Sequence, residues 1–321
     1  MNSMTPEQDL RNAARPKQKF DWQKLLAPAV LILIIAFFLI AAPNFRKADS
    51  LVNVLTRSYF IGFLALGVTF VIITGGIDLS LGTSMCAGML VGVAFCTVVG
   101  LLNGVLIAYL KLPPFIATLG TQMMTLGMGA IATNVVTMRY TDPSFKVIFY
   151  KTGNDLAWPW ARFPVGALWL VGAFLIAWVV LNRTKFGRYV FAMGSNYEAA
   201  RLSGIRTRYW LTLVYTLCGF FVGMAGIFYA AVYTSIVPSA GPGYELLAIA
   251  GVVIGGTSML GGSGSLTGTL IGVLTMSVLK NGLVQMGLQP HWQNFFTGVV
   301  VIGAVLLDQY RIRQSNKVKP L

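Results

Sequence analysis

The chain has 321 residues, of which 56% are hydrophobic and 11% charged, with a mean hydropathy of +0.71; soluble domains carry roughly 25% charged residues, so an ordinary water-soluble globule is excluded. Apolar runs near the ~20 residues needed to cross a bilayer recur along the chain, without the short alternating segments of a transmembrane barrel. The expected fold is therefore all-α, a polytopic helical membrane protein of about 8–10 membrane segments, some of them broken or re-entrant half-helices. The net charge of +14 would favour nucleic acid in a soluble protein; here it sits at span ends and tails, where topology and the lipid bilayer account for it and no nucleic-acid partner is expected.

Residues 1–24 read as a polar cytoplasmic tail with Arg11, Arg15, Lys17, Lys19 and Lys24. A cleavable signal is not expected, because the apolar run behind it is too long and more spans follow. Residues 25–308 form the membrane domain. The first span is 25–42, with Trp22 as an interfacial anchor; 43–57 reads as a short loop and 59–74 as the second span. Residues 75–82 then set one acid among three glycines, Gly75, Gly76 and Gly82. Asp78 is either a helix N-cap at the membrane surface, the preferred reading, or a buried functional acid. Residues 80–110 are one run of small and apolar residues, closed by Lys111, Leu112, Pro113 and Pro114. The next span runs to about 136, and its Thr118, Thr121 and Gln122 are spaced to bond a neighbouring helix.

Residues 137–164 are the longest polar loop, and their near-balanced charge suits the outside. Spans at 165–181 and 211–233 follow, the second carrying a stripe of Gly219, Gly223 and Gly226 for close helix packing. Glu245 opens an apolar segment of about 11 residues, too short to cross. The glycine clusters at 255–256 and 261–264 make a poor nucleotide loop, since neither the P-loop lysine nor a preceding strand is present. The last span has its core at 295–307, and 309–321 reads as a basic cytoplasmic tail. Cys86, Cys96 and Cys218 all lie in apolar runs and read as buried thiols. The lone His291 cannot form a metal cluster, and no metal or cofactor is expected.

The segment 186–209 carries Arg188, Arg201, Arg206 and Arg208, preceded by Arg183 and Lys185, with Glu198 its only acid. Such a loop belongs on the cytoplasmic side. Asn196 is placed to cap a short helix over 197–202 that Gly204 ends, with Glu198 and Arg201 placed to suit the helix dipole. On these residues alone the segment is either an ordinary positive-inside loop or a shape that docks into another protein.

The pattern Gly194, Asn196, Ala199, Ala200, Gly204, Ile205 resembles the coupling loop of ABC-importer permeases, in particular the group serving ribose, galactose, xylose and autoinducer uptake. The string GGIDLS at 75–80 is a second match, the Asn103-Gly104 pair with FIATLG at 115–120 a third, and the long string from Tyr244 to Gly264 the most extensive. The resemblance runs from about 75 to 308. It implies a permease subunit of an ATP-binding-cassette importer, not an enzyme, in a bacterial inner membrane, forming the pathway for a monosaccharide or related small polar solute. It further implies separate ATPase subunits, a second permease subunit and a periplasmic substrate-binding protein. ATPase coupling falls to Gly194, Asn196, Glu198, Ala199, Ala200, Arg201 and Gly204. Candidate pathway residues are Asp78, Asn103, Thr118, Glu245, Asn281 and Gln285. Asn281 and Gln285, four apart on one helix face, can bond a sugar hydroxyl or another helix, with the helix preferred. The alternative class, an ion-coupled secondary transporter, needs intramembrane ion sites; only Asp78 and Glu245 qualify, both near span ends.

One expectation conflicts with the rest. If both tails and the 182–210 loop are cytoplasmic, the crossings before 181 must be even, yet five apolar segments are visible there. The 81–102 gap is shorter than the family's usual spacing and cannot hold two crossings of about 20 residues each. Either a span has been lost, or 80–110 forms a broken, re-entrant pair, or the N-terminus is extracellular.

Overall fold

The structure is a computed structural model that describes residues 22–139, 164–237 and 241–317. The expected N-terminal tail, nearly all of the 137–164 loop, the end of the C-terminal tail and the anchoring role of the Trp22 side chain lie outside the described residues. Among the described residues the chain is helical apart from two paired two-residue strands. Six helices are long and apolar enough to cross a membrane, and four shorter apolar helices accompany them. The fold is that of an all-α polytopic membrane protein.

Helix α1 (Trp22–Ala41) and a 3-10 turn (Pro43–Arg46) lead into α2 (Ala48–Ile73). The loop expected over 43–57 is corrected: its second half is helix. Of its polar side chains, Thr56 donates within the helix to Val52 O at 2.8 Å, while Ser50 accepts from Asn281 and Arg57 donates to the Tyr233 hydroxyl, both far along the chain. Asp49 in the first turn suits the helix dipole. Helix α2 is the central pillar, buried over nearly all of its span.

The run 80–110 is two helices, α3 (Leu81–Val91) and α4 (Val93–Ala108). They meet at Gly92, whose φ of 97° and ψ of −179° is open to glycine almost alone. The chain folds back there, and Cys96 Sγ donates to Ser84 O at 3.0 Å across the pair. At 1.5 Å per residue the two helices measure about 16 and 24 Å, each short of a ~30 Å hydrocarbon core. The run is thus broken and folded back, as the second option has it. Helices α5 (Pro114–Thr133) and α6 (Val165–Arg183) follow; a folded-back pair adds either no crossing or two, and so is compatible with an even number before the basic segment.

The basic segment holds α7 (Lys185–Ser195) and α8 (Tyr197–Leu202). Then come α9 (Thr207–Tyr233), α10 (Tyr244–Ile254), α11 (Leu266–Gln285) and α12 (Pro290–Lys317). Helix α12 continues to Lys317, so the basic segment expected from 309 begins in helical form. Strand β1 (Met138–Arg139) pairs antiparallel with β2 (Ser235–Ile236), joining the ends of α5 and α9.

Helices α4 and α9 cross closely. A Cβ on Gly100 would meet the Tyr215 carbonyl, and the Cα atoms of Gly100 and Gly219 face each other across the crossing. The expected glycine stripe is therefore a packing surface: Gly223 faces Val93 and Gly226 faces Met85 and Met89. Cys86, Cys96 and Cys218 are free thiols, 3%, 0% and 0% exposed.

Each end of the bundle has its own chemistry. At one end an aromatic cluster of Phe60, Tyr229, Tyr233 and Tyr244 closes the core, and nearby Asn281 Nδ2 donates to Ser50 Oγ at 2.8 Å, tying α11 to the start of α2. The other end gathers the C-terminus of α2, α7, α8, the glycine-rich turn between α10 and α11, and Asp308 of α12.

Candidate functional site

The segment with the most defined local design is α8. The Asn196 side chain accepts from Ala199 N at 2.9 Å, a helix N-cap. At the other end Gly204 has φ +84°; its amide donates to Arg201 O at 3.1 Å and that of Ile205 to Ala200 O at 3.2 Å. Those two bonds form a Schellman motif, which satisfies the last carbonyls of the helix. Glu198 and Arg201 pair at 2.7 Å on the outer side, 64% and 60% exposed. Ala200 is the buried residue of this helix, and Leu202 is 82% exposed. An apolar side chain held out on a capped, otherwise polar helix suits insertion into a partner's groove. Sequence reading passed over Leu202, though an apolar residue in a charged segment was the available signal.

Behind α8 lies α7, whose Gly187, Val190 and Met193 turn inward. Phe186 and Tyr189 lie 5.9 and 5.1 Å, ring to ring, from Trp210 and hold α7 against the start of α9. Gly194 abuts two other elements. A Cβ there would collide with Ile73 O and stand 2.5 Å from Gly262 N. The glycine-rich turn is itself anchored, as Met259 N donates to Asp308 Oδ2 at 3.2 Å. Of the seven expected coupling residues, Gly194 is thus the inner contact and the other six build or present α8.

The six expected pathway residues divide differently. Asp78 is buried at 2% exposure, and its Oδ1 accepts from Ser80 N at 2.9 Å and Ser80 Oγ at 2.7 Å. The surface N-cap reading is corrected: Ser80 occupies the cap position of α3, and the carboxylate is spent on a tight turn inside the bundle. Asn103, fully buried, donates from Nδ2 to Ser80 Oγ at 3.1 Å and accepts from Thr121 Oγ1 at 2.8 Å. One step along, Thr125 Oγ1 donates to Thr83 Oγ1 at 2.7 Å. Glu245 is 6% exposed; its Oε1 accepts from Gly243 N at 2.9 Å and from Gln122 Nε2 at 3.4 Å, while its Oε2 is buried with no hydrogen-bond partner. A polar seam therefore runs from Asp78 through α3, α4 and α5 to Glu245 on α10, in three side-chain groups linked by the α5 backbone at Thr121 and Gln122. Thr118 bonds back to Pro114 O within its own helix. Asn281 bonds to α2, the helix–helix alternative, and Gln285 sits half-buried at the end of α11. The structure thus brings Asp78, Asn103 and Glu245 into one seam and leaves Asn281 and Gln285 apart from it. Ser80, Thr121, Thr125 and Gln122 join the seam as well; Thr121 and Gln122 were expected to face a neighbouring helix and Ser80 closes the GGIDLS string, whereas Thr125 offered no signal beyond a polar side chain in an apolar run.

Residues 50–305 match the family described as branched-chain amino acid transport system / permease component. Among curated proteins, Ribose import permease protein RbsC of Escherichia coli (strain K12) is 38% identical over 308 residues, covering 89% of this chain and 92% of that protein. Fructose import permease protein FrcC of Rhizobium meliloti is 35% identical over 301 residues, with 88% and 84% covered. Galactose/methyl galactoside import permease protein MglC of Escherichia coli (strain K12) is 32% identical over 322 residues, with 89% and 94% covered. No solved structure matches the chain. The family match takes in nearly every helix from α2 to α12, with both the α8 segment and the buried seam inside it, and the chain belongs to this family as a permease subunit of an ATP-binding-cassette importer, a transport component and not an enzyme.

Proposed function

We propose that this subunit passes a monosaccharide or related small polar solute across a bacterial inner membrane. It works with a second permease subunit, two ATPase subunits on the cytoplasmic side and a periplasmic binding protein that delivers the solute. The observation that carries the solute class is that the three relatives, matched over 84–94% of their lengths, are named for ribose, fructose and galactose. On this reading residues 186–209 are cytoplasmic, and so are the two tails, 1–24 and 309–321, flanking the permease domain 25–308.

Coupling is proposed at Gly194, Asn196, Glu198, Ala199, Ala200, Arg201 and Gly204. ATP-driven closure of the ATPases presses on α8, and Leu202 fills a groove on their surface. Gly194 passes the displacement to Ile73 at the end of α2 and to Gly262 between α10 and α11, as a rigid-body shift between two states. The solute path is proposed beside the seam of Asp78, Asn103 and Glu245, with Thr118, Asn281 and Gln285 as further contacts. Weak polar contacts suit a pore whose selectivity is supplied by the binding protein.

Uptake of labelled ribose, fructose and galactose by cells carrying or lacking this subunit tests the solute class. Loss of uptake of one of them, restored by the intact gene, is the expected result. Unchanged uptake of all three, together with co-purification of a binding protein that holds an amino acid, would move the solute to another class.

A further inference from the structure

Helices α6 and α9 both pack on α2 and make almost no contact with each other. Between them runs an open groove of about 540 Å³, floored by Phe63 and Phe70 of α2 and walled by Leu168, Gly172 and Ile176 of α6 and Phe220 of α9. Nothing lies within 4 Å of where a Cβ on Gly172 would be, and Ile176 is 66% exposed. From Val165 to Val180 the wall is about 22 Å long at the helical rise, more than one leaflet of a ~30 Å hydrocarbon core.

The groove continues past Val180, Leu217 and Phe220 into a second apolar hollow that ends at Phe186. There the chemistry changes. Phe186 and Tyr189 stand against Trp210 in an aromatic group typical of a membrane–water boundary. Next to it in the chain are Lys185 and Arg188, and Arg183 at the end of α6 lays its guanidinium 5.9 Å from the ring of Trp178, which lines neither hollow; all three are exposed. Glu198 is the only acid between residues 165 and 224, and Arg201 already holds it at 2.7 Å. The cations at the foot of the groove have no acid of their own segment to answer them.

We propose that this groove is a binding site for an anionic phospholipid of the bilayer, with one acyl chain lying between α6 and α9 and the headgroup phosphate held by Arg183, Lys185 and Arg188. Basic pockets between membrane helices on the cytoplasmic side bind such headgroups, and the apolar length above supplies the chain's share of the contact. The site needs only the membrane placement of these helices and is independent of which solute is carried. A lipid there would link the end of α6 to α7, next to the segment proposed for coupling.

The test uses the full chain, purified in detergent with equal amounts of phosphatidylglycerol and phosphatidylcholine, with retained lipid read by native mass spectrometry. Wild type should retain phosphatidylglycerol at least about tenfold over phosphatidylcholine. The exposed-charge variant R183Q/K185Q/R188Q should lose that preference, and Gly172→Phe should lose both lipids by filling the groove. An unchanged preference in the triple variant overturns the headgroup site, and it does so even if Gly172→Phe proves unfolded. A cysteine placed by Ile176→Cys that cross-links in native membranes to a second copy, or to another segment of the same chain, would show the groove to be covered by protein and overturn the proposal as well.

Discussion

The amide of Gly262 donates to the carbonyl of Ile73 at 2.9 Å, and Gly194 lies directly over that bond. Three separate elements, the end of α2, the turn between α10 and α11, and α7, therefore meet at one backbone contact. A side chain at 194 would strike backbone on both sides, with no flexible group to give way. Gly194→Ala should shift the contact at a strain of about 1–3 kcal/mol. Solute uptake should fall severalfold or more while the protein still inserts and still binds its ATPase; wild-type uptake in the variant would remove Gly194 as a transmission point.

Glu198 and Arg201 form an exposed pair one helical turn apart. Exposed pairs of this kind contribute about 0–1 kcal/mol, so the double variant E198A/R201A should melt within a few degrees of wild type. If the pair belongs to the ATPase-facing surface, ATP-driven uptake should nevertheless collapse. Leu202→Asp should act the same way and weaken ATPase co-purification. Normal uptake in both variants would leave α8 as a cytoplasmic loop without a coupling task.

Asn103 bridges Ser80 on one side and Thr121 on the other, fully buried. Asn103→Leu removes two buried hydrogen bonds, at about 0.5–1.5 kcal/mol each, while Ser80 Oγ keeps Asp78 and Thr121 Oγ1 keeps Thr118 O. The melting temperature in detergent should drop clearly, and a Ser80→Ala change made on top should cost less than it does alone. Additive effects would mean that the seam is not one network.

Gly223 faces the Cα of Val93 at 2.6 Å from a built Cβ. Gly223→Leu should force α4 away from α9 and lower stability in detergent, whereas Gly120→Leu on α5, where a side chain meets open space, should not. Equal stability of the two variants would show that the α4–α9 crossing tolerates separation.

Much of this was legible from the chain alone, for reasons that differ by residue. The α8 cap and stop were readable because Asn196 and Gly204 act on their own backbone, within a few positions. The glycine stripe on α9 was readable because spacing on one helix fixes a face. What was not legible depends on distant partners. Residues 48–57 look like a loop because their polar side chains find partners that local sequence does not show, Thr56 on its own helix and Ser50 on Asn281 of α11. The hairpin in 80–110 is invisible to hydropathy, because Gly92 is one small residue in a run of small residues and only its φ breaks the helix. Asp78 reads as a surface cap because a lone acid in an apolar chain suggests water nearby. It is buried instead because Ser80 supplies two donors and Asn103 meets the same hydroxyl, and Asn103 lies more than twenty positions away.

The three native thiols lie at 3% exposure or less, each inside a helix packed on its neighbours. A membrane-impermeant maleimide added to intact protein therefore meets no natural target among them. Cysteines introduced one at a time along α8, or at either mouth of the bundle, would report sidedness and motion against a silent background, with the wild-type sequence otherwise untouched.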